Sequence, residues 1–153
     1  MDAKIINPFV EGAIHVLNTV SSTAVTPGKP YVKHDRVAKG DVTGIIGLTG
    51  EARGTVSVTF TEACILDVFS KMFGEEMKTL NDEIVDAVGE ISNMISGHAR
   101  KKLEEIGKSL KAAIPTVVMG KNHQLTHMTN RPIIAIPFST DKGGFTIEVC
   151  FED

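Results

Sequence analysis

The chain has 153 residues and a formal net charge of −3, and 42% of its residues are hydrophobic. These values are typical of a globular domain with a hydrophobic core, and they do not fit a nucleic-acid module, which presents a clustered basic face. No apolar run approaches the roughly 20 residues of a membrane span, and the two cysteines lack metal-ligand spacing. We therefore expect one cytoplasmic domain over residues 1–153, with reduced thiols, no metal of its own, and neither nucleic acid nor membrane as partner.

The first half of the chain predicts a helix, three strands and a second helix. Asn7-Pro8 is a favourable helix start, because Asn caps well and Pro fits the first helical position. A loop rich in Pro and Gly follows. Thr61 and Gly74 are suited to begin and end the second helix. The predicted elements after the first helix are strand 31–33, hairpin strands 42–48 and 54–60, and helix 62–73.

The second half repeats this arrangement. Thr79 or Asn81 is placed to cap a long helix that runs to about Ile106, and Gly107 is placed to end it. Strand-like segments follow at 116–119, 132–138 and 145–151, and the last two form a hairpin that echoes the first one. We expect an α+β fold in which two duplicated helix-plus-three-strand units share one antiparallel sheet of about six strands, packed on helices. The alternative is that the chain contains no duplication, because any two hairpins with alternating apolar residues look alike.

The long helix has two contrasting faces. At about 100° per residue, its isoleucines and Val88 fall on one side and form a core stripe. Asp86, Glu90 and Asn93 fall on nearly the opposite side together with Gly97. Small residues flank this polar face; they are Gly89, Ser92, Ser96 and Gly97. Because each Gly costs a helix roughly 1 kcal/mol relative to Ala, this bare surface indicates close approach by another molecule, although a merely solvated face explains the pattern equally well.

These residues match a known family. Asp86, Glu90 and Asn93, with Pro115 later in the chain, resemble the signature of the CheC, CheX and FliY phosphatases. The stretches 88–94 and 115–118, and the opening residues 1–7, resemble the CheX branch in particular. The resemblance covers essentially the whole chain. It implies a CheC-like fold, a homodimer and a phosphatase that acts on the aspartyl phosphate of a CheY-like receiver domain.

The resemblance also implies roles for individual residues. Asn93 would orient the attacking water, because an amide both accepts and donates hydrogen bonds. Glu90 would pair with the active-site lysine of the receiver, and a general-base role is the less favoured reading. Asp86 would steer or support docking, or would mainly keep the helix soluble. Gly89, Gly97 and Pro115 would support the site or bind the partner. The receiver supplies its own Mg²⁺, so we expect no cofactor on this chain.

The first helix contains a degenerate copy of the motif. His15 stands where Glu90 stands, and Asn18 stands where Asn93 stands. Since the acid is missing, we expect one active face per chain, as in CheX-type relatives. The apolar strand 145–151 near the C-terminus would make an unsafe free edge, which favours dimerisation through sheet edges.

Two other hypotheses compete with a phosphatase. A receiver-binding adaptor with the same fold needs no water-orienting amide, so the intact Glu90 and Asn93 pair argues against it. A metal-dependent hydrolase would need a ligand cluster. His123 and His127 have zinc-like spacing, but they lie between strands, where that spacing does not converge, so we expect both to be structural or surface histidines.

Overall fold

The computed structural model describes residues 3–121, 123–127 and 130–152, and in this part of the chain it contains three helices and eight strands. The α+β class is confirmed. None of the described helices is long and apolar enough to cross a membrane. In chain order the elements are α1 (Ala3–Ser21), β1 (Thr26–Pro27), β2 (Tyr31–Lys33), β3 (Val42–Gly50), β4 (Arg53–Phe60), α2 (Glu62–Phe73), α3 (Asp82–Glu105), β5 (Leu110–Ala112), β6 (Thr116–Met119), β7 (Ile133–Thr140) and β8 (Gly143–Glu152).

All the strands belong to one antiparallel sheet in the order β1-β7-β8-β4-β3-β5. β2 also pairs with β7, and β6 also pairs with β3. Among the described residues the sheet has eight strands where six were expected. The two that were not predicted are β1 and β5, which are only two and three residues long. Such short segments carry no periodicity, and they become strands only because a neighbouring hairpin accepts them.

The duplication predicted from the two hairpins is visible in this topology. Each unit has a helix, two short strands and a hairpin, and the central β4–β8 pairing joins the two hairpins. The short strands are interchanged, since β1 and β2 pair with the hairpin of the second unit and β5 and β6 pair with that of the first. The strand 145–151 was expected to be a free edge, and this was wrong. It forms most of β8, which lies between β4 and β7 in the middle of the sheet.

Helix caps agree with the sequence in α2 and α3 and disagree in α1. Thr61 Oγ1 accepts a hydrogen bond from Cys64 N–H, and Gly74 ends α2 in the left-handed conformation with φ 65°. Asn81, rather than Thr79, caps α3. The first helix begins at Ala3 and not at Asn7-Pro8, so Pro8 lies inside it. The missing N–H of Pro8 would have paired with the carbonyl of Lys4 in the exposed first turn, where the loss costs little.

The helices cover one face of the sheet and build the main core there. The predicted apolar stripe of α3 is fully buried; its members are Ile84, Val88, Ile91 and Ile95. Phe60 and Phe145 meet on neighbouring strands with their ring centroids 5.2 Å apart. Burial of this apolar surface, at about 25 cal/mol per Å², is the main term that stabilises the fold.

The opposite face of the sheet is covered by the loop 34–41 and the described part of 120–132. An isolated bridge joins Val37 to Gln124 in these two segments. Beneath them Lys33 Nζ donates a hydrogen bond of 2.6 Å to Glu148 Oε2, and His127 Nε2–H donates one of 3.2 Å to Glu148 Oε1. Burial alone would raise the pKa of Glu148, but these hydrogen bonds and the Lys33 charge outweigh it and lower the pKa. Glu148 therefore contributes stability above its ordinary titration range, and this stability is lost as the pH falls through its lowered pKa.

α3 approaches its neighbours closely at two glycines. A Cβ at Gly44 on β3 would overlap Ser92 Oγ and lie 2.9 Å from Ser92 Cβ, and a Cβ at Gly12 on α1 would lie 3.1 Å from the carbonyl oxygen of Ile95. Ser92 and Ser96 are both buried, at 1% and 0% exposure, and Ser92 makes the contact with Gly44. The expectation that both serines flank an open surface was therefore wrong. The small size of Ser92 allows α3 to pack closely against Gly44 on β3.

We expect Gly44→Ala to destabilise the protein by about 1–3 kcal/mol, because the added methyl overpacks the contact with Ser92. The double variant Gly44→Ala/Ser92→Gly removes the overlapping atoms and should recover part of this loss, apart from the helix cost of glycine. Urea denaturation of the two single variants and the double variant measures the coupling. Strictly additive effects would contradict the proposed contact.

Candidate functional site

The polar face of α3 points to solvent. Asp86, Glu90 and Asn93 are exposed, and Gly89 and Gly97 are half-buried. The exposed side chains stand one helical turn apart because they are spaced three or four residues along the chain. The helix period alone thus brings two carboxylates and an amide together on one ridge.

The structure places most of the predicted residues in one open cleft, of about 450 Å³, between α3 and β6. β6 forms its second wall, and pairing of Val117 with Gly44 holds that strand beside β3. The residues that line the cleft are Val85, Asp86, Gly89, Glu90, Asn93, Pro115 and Val117. Gly97 lies one turn beyond Asn93 and does not line the cleft.

The functional groups of this cleft are free to engage another molecule. In the described part of the chain, the side chains of Asp86, Glu90 and Asn93 form neither a hydrogen bond nor an ion pair. Asn93 offers an acceptor and two donors, and Glu90 offers carboxylate oxygens that suit a lysine. The arrangement is therefore able to hold a water and a cation side by side.

The glycine at position 89 is not required by the fold. A Cβ there would meet Val117 Cγ2 at 3.5 Å, which is ordinary van der Waals contact, and a Cβ at Gly97 would meet only Arg100 Nη2 at 3.8 Å. Both residues have helical backbone, which disfavours Gly relative to Ala. The two glycines that keep this ridge open therefore lower the stability of the helix, and packing against neighbouring residues does not require them.

A related cleft lies against α1. Its lining includes Glu11, Ile14, His15 and Asn18, together with the segment 23–25. The ring of His15 lies beside that of His98, with centroids 5.0 Å apart and the planes tilted by 30°. Ile14 stands where α3 has Gly89, and His15 stands where α3 has Glu90, so this cleft lacks both the open shoulder and the acid. One active face per chain stays a prediction.

Sequence reasoning missed the apolar residues around the ridge. Val117 is brought to the cleft by sheet pairing, and Phe73 at the end of α2 is 57% exposed beside α3. Ile114, directly before Pro115, is 90% exposed. The adjacency of Ile114 to Pro115 was a usable signal, whereas the position of Phe73 depends on how α2 packs against α3.

No cluster of three or more His, Cys, Asp or Glu suited to a metal occurs among the residues that the structure describes. His123 Nε2 contacts Thr43 Oγ1 at 2.6 Å, and His127 contacts Glu148. Both histidines thus have structural roles, as expected. Both cysteines are buried free thiols, and burial raises the pKa of Cys64 to about 11, which makes it unreactive.

A family model described as "Chemotaxis phosphatase CheX" matches residues 42–139. The chain is also 34% identical over 124 residues to "CheY-P phosphatase CheX" of Thermotoga maritima, which covers 80% of this chain and 79% of that protein. Both the hairpin of the first unit and the whole polar face of α3 lie inside the matched region.

Solved structures of similar sequence share the fold. A CheX crystal structure from Vibrio vulnificus superposes with a TM-score of 0.92 at 43% identity, covering 98% of this chain and 100% of that one. A CheX-CheY-BeF3-Mg²⁺ complex from Borrelia burgdorferi superposes with a TM-score of 0.82 at 25% identity, covering 97% of each chain.

We expect Gly89→Ala and Gly97→Ala each to stabilise the protein by up to about 1 kcal/mol, because Ala is the better helix former and neither methyl meets a close neighbour. Chemical denaturation measures the change. Gly44→Ala is the matched control, since the same substitution should destabilise there. Destabilisation by Gly89→Ala would show that the fold requires this glycine after all.

Proposed function

The chain belongs to the CheX family of chemotaxis phosphatases, and from this premise we propose that it accelerates hydrolysis of the aspartyl phosphate on a CheY-like receiver domain. The observation that carries the proposal is the exposed, unpartnered pair Glu90 and Asn93 at the mouth of an open cleft. The Thermotoga maritima relative is a CheY-P phosphatase, and the Borrelia burgdorferi relative forms a complex with CheY, BeF3 and Mg²⁺. Such a reaction belongs in the cytoplasm.

This chain needs to contribute few catalytic groups, because the substrate is already activated. The receiver brings the acyl phosphate, a Mg²⁺ ion and a lysine. Phosphoryl transfer through a loose transition state gains most from positioning and charge complementarity. The water oxygen forms its bond to phosphorus as the bond to the aspartyl oxygen breaks, which yields inorganic phosphate and a free carboxylate. This chain has to place that water in line.

Asn93 is suited to position the water. Its side chain projects from the middle of α3, so a rigid element carries it, and Gly89 leaves space between it and Pro115. The amide oxygen accepts a hydrogen bond from the water, and the amide nitrogen donates one to the water or to a phosphoryl oxygen. Water positioning by a fixed amide needs no titratable group.

Glu90 is suited to dock the receiver. It stands one turn before Asn93 and has no partner among the described residues, so its carboxylate can form a charge-assisted hydrogen bond with the receiver lysine. That contact fixes the register in which Asn93 meets the phosphoryl group. Asp86, a further turn back, adds negative charge to the approach, and Gly97 leaves the far end of the ridge bare.

We expect Asn93→Ala to lower stimulated dephosphorylation by about 100-fold while binding to a receiver loaded with Mg²⁺ and BeF3 stays within about threefold. Glu90→Ala should also weaken that binding, by about tenfold or more. Phosphate release measures the first effect, and calorimetric titration measures the second. The proposal fails if Asn93→Ala accelerates phosphoryl loss as well as the parent protein does.

Two controls make this test specific. Asn18→Ala removes the corresponding amide of the α1 cleft and should leave the rate unchanged if there is one active face per chain. Gly89→Ala should lower the rate at least severalfold despite its greater stability, because the methyl fills the space beside Asn93. A parent protein that binds the receiver without releasing phosphate would instead indicate an adaptor.

We further propose a homodimer formed through the β2 edge of the sheet. Tyr31 and Val32 on β2 are 38% and 49% exposed, and β2 pairs with β7 alone among the described strands. An exposed apolar edge is prone to pair with a second chain. The other end of the sheet carries β6, which forms a wall of the active cleft, so dimerisation through β2 leaves that cleft accessible.

Val32→Lys should shift the protein from dimer to monomer at micromolar concentration, because an edge lysine opposes strand pairing. Light scattering after size-exclusion chromatography measures the mass. Ile106→Lys, at an exposed apolar residue after α3, is the matched control and should stay dimeric. A monomeric parent protein, or a dimer that resists the Val32 substitution, would contradict this edge.

A further inference from the structure

A second concave surface lies on the other side of the α3 ridge, between α2 and α3, and we name it the α2–α3 groove. Its volume is about 460 Å³. Apolar side chains form its floor; they are Phe69, Met72, Phe73 and Ala87. Acidic side chains form its rim; they are Glu75, Glu83, Asp86 and Glu90. An apolar floor with a polar rim is the usual composition of a recognition surface.

Phe73 is the central apolar feature of this groove. It is 57% exposed, although its ring packs against that of Phe69 with a centroid distance of 4.6 Å and a tilt of 45°, and Phe69 is itself 4% exposed. The core therefore supports the ring from behind and holds it at the surface. A rigid, half-exposed aromatic side chain of this kind is a typical anchor for a partner, because it loses little entropy on binding.

The charge around the groove defines the chemistry of that partner. The residues that line it include four carboxylates and neither Lys nor Arg. The nearest lysine on the last turn of α2, Lys71, forms an ion pair with Asp67 at 3.0 Å. A surface of this kind favours lysine or arginine around an apolar side chain and disfavours an acidic partner.

The groove is continuous with the active cleft. Asp86 and Glu90 line both surfaces, so a protein that seats a phosphoryl group beside Asn93 also covers the groove. We propose that the α2–α3 groove is the specificity surface for the receiver and takes an exposed apolar side chain of that domain, flanked by Lys or Arg. This inference rests on the proposed function and adds a recognition surface next to the chemical site.

Phe73→Ala and Glu75→Lys test the groove through the steady-state kinetics of the parent's best phosphorylated receiver. Phe73→Ala should raise KM about tenfold with kcat retained, and the change should not depend on salt. Glu75→Lys should raise KM severalfold at about 50 mM salt and much less at about 500 mM, because screening weakens the charge contact. Unchanged KM values for both variants would overturn the proposal.

Matched variants separate the groove from general effects. Ile106→Ala removes an apolar side chain that is 53% exposed and lies about 24 Å along α3 from Glu90, and it should leave KM unchanged. Glu76→Lys makes the same charge change next to the groove without lining it, and an effect equal to that of Glu75→Lys would contradict a specific contact. A change in oligomeric mass on Phe73→Ala would show a self-association surface instead. Loss of the proposed function itself would appear as an inactive parent protein, before any groove variant is compared.

Discussion

The close packing of α3 against the sheet is the contact on which the rest of the site depends. Ser92 packs into the space left by Gly44, and Gly12 lets α1 approach the backbone at Ile95. These close contacts oppose rotation of the helix about its axis, and they therefore set the direction in which its outer side chains point. Asn93 directly follows Ser92 in the sequence. The residue that packs against the sheet and the residue whose amide faces solvent are therefore neighbours on α3.

Much of this could be predicted from the sequence because its causes are local. The two faces of α3 follow from the helix period, and the ends of α2 follow from Thr61 and Gly74. Other features depend on contacts between distant segments. Ser92 and Ser96 look the same on a helical wheel whether they flank an open ridge or pack beneath it, and only the position of β3 decides. Pro115 was predicted as a site residue from family resemblance alone, because no rule of sequence spacing places a residue after β5 beside α3.

The errors have equally specific causes. Pro8 was expected to start α1, yet a helix tolerates proline in its second turn, where the N–H that proline lacks would have paired only with the exposed first turn. The strand 145–151 was expected at an edge because it is near the C-terminus, but chain order does not give sheet order. Phe73 illustrates a different gap, because an aromatic residue at the end of a helix is expected in the core, whereas this side chain is 57% exposed.

The interchange of short strands between the two units has a consequence for how the molecule holds together. The short strands of each half pair with the hairpin of the other half. A cut between α2 and α3 would therefore leave both fragments with backbone N–H and C=O groups that lack their hydrogen-bond partners. Melting is therefore expected to be a single cooperative event.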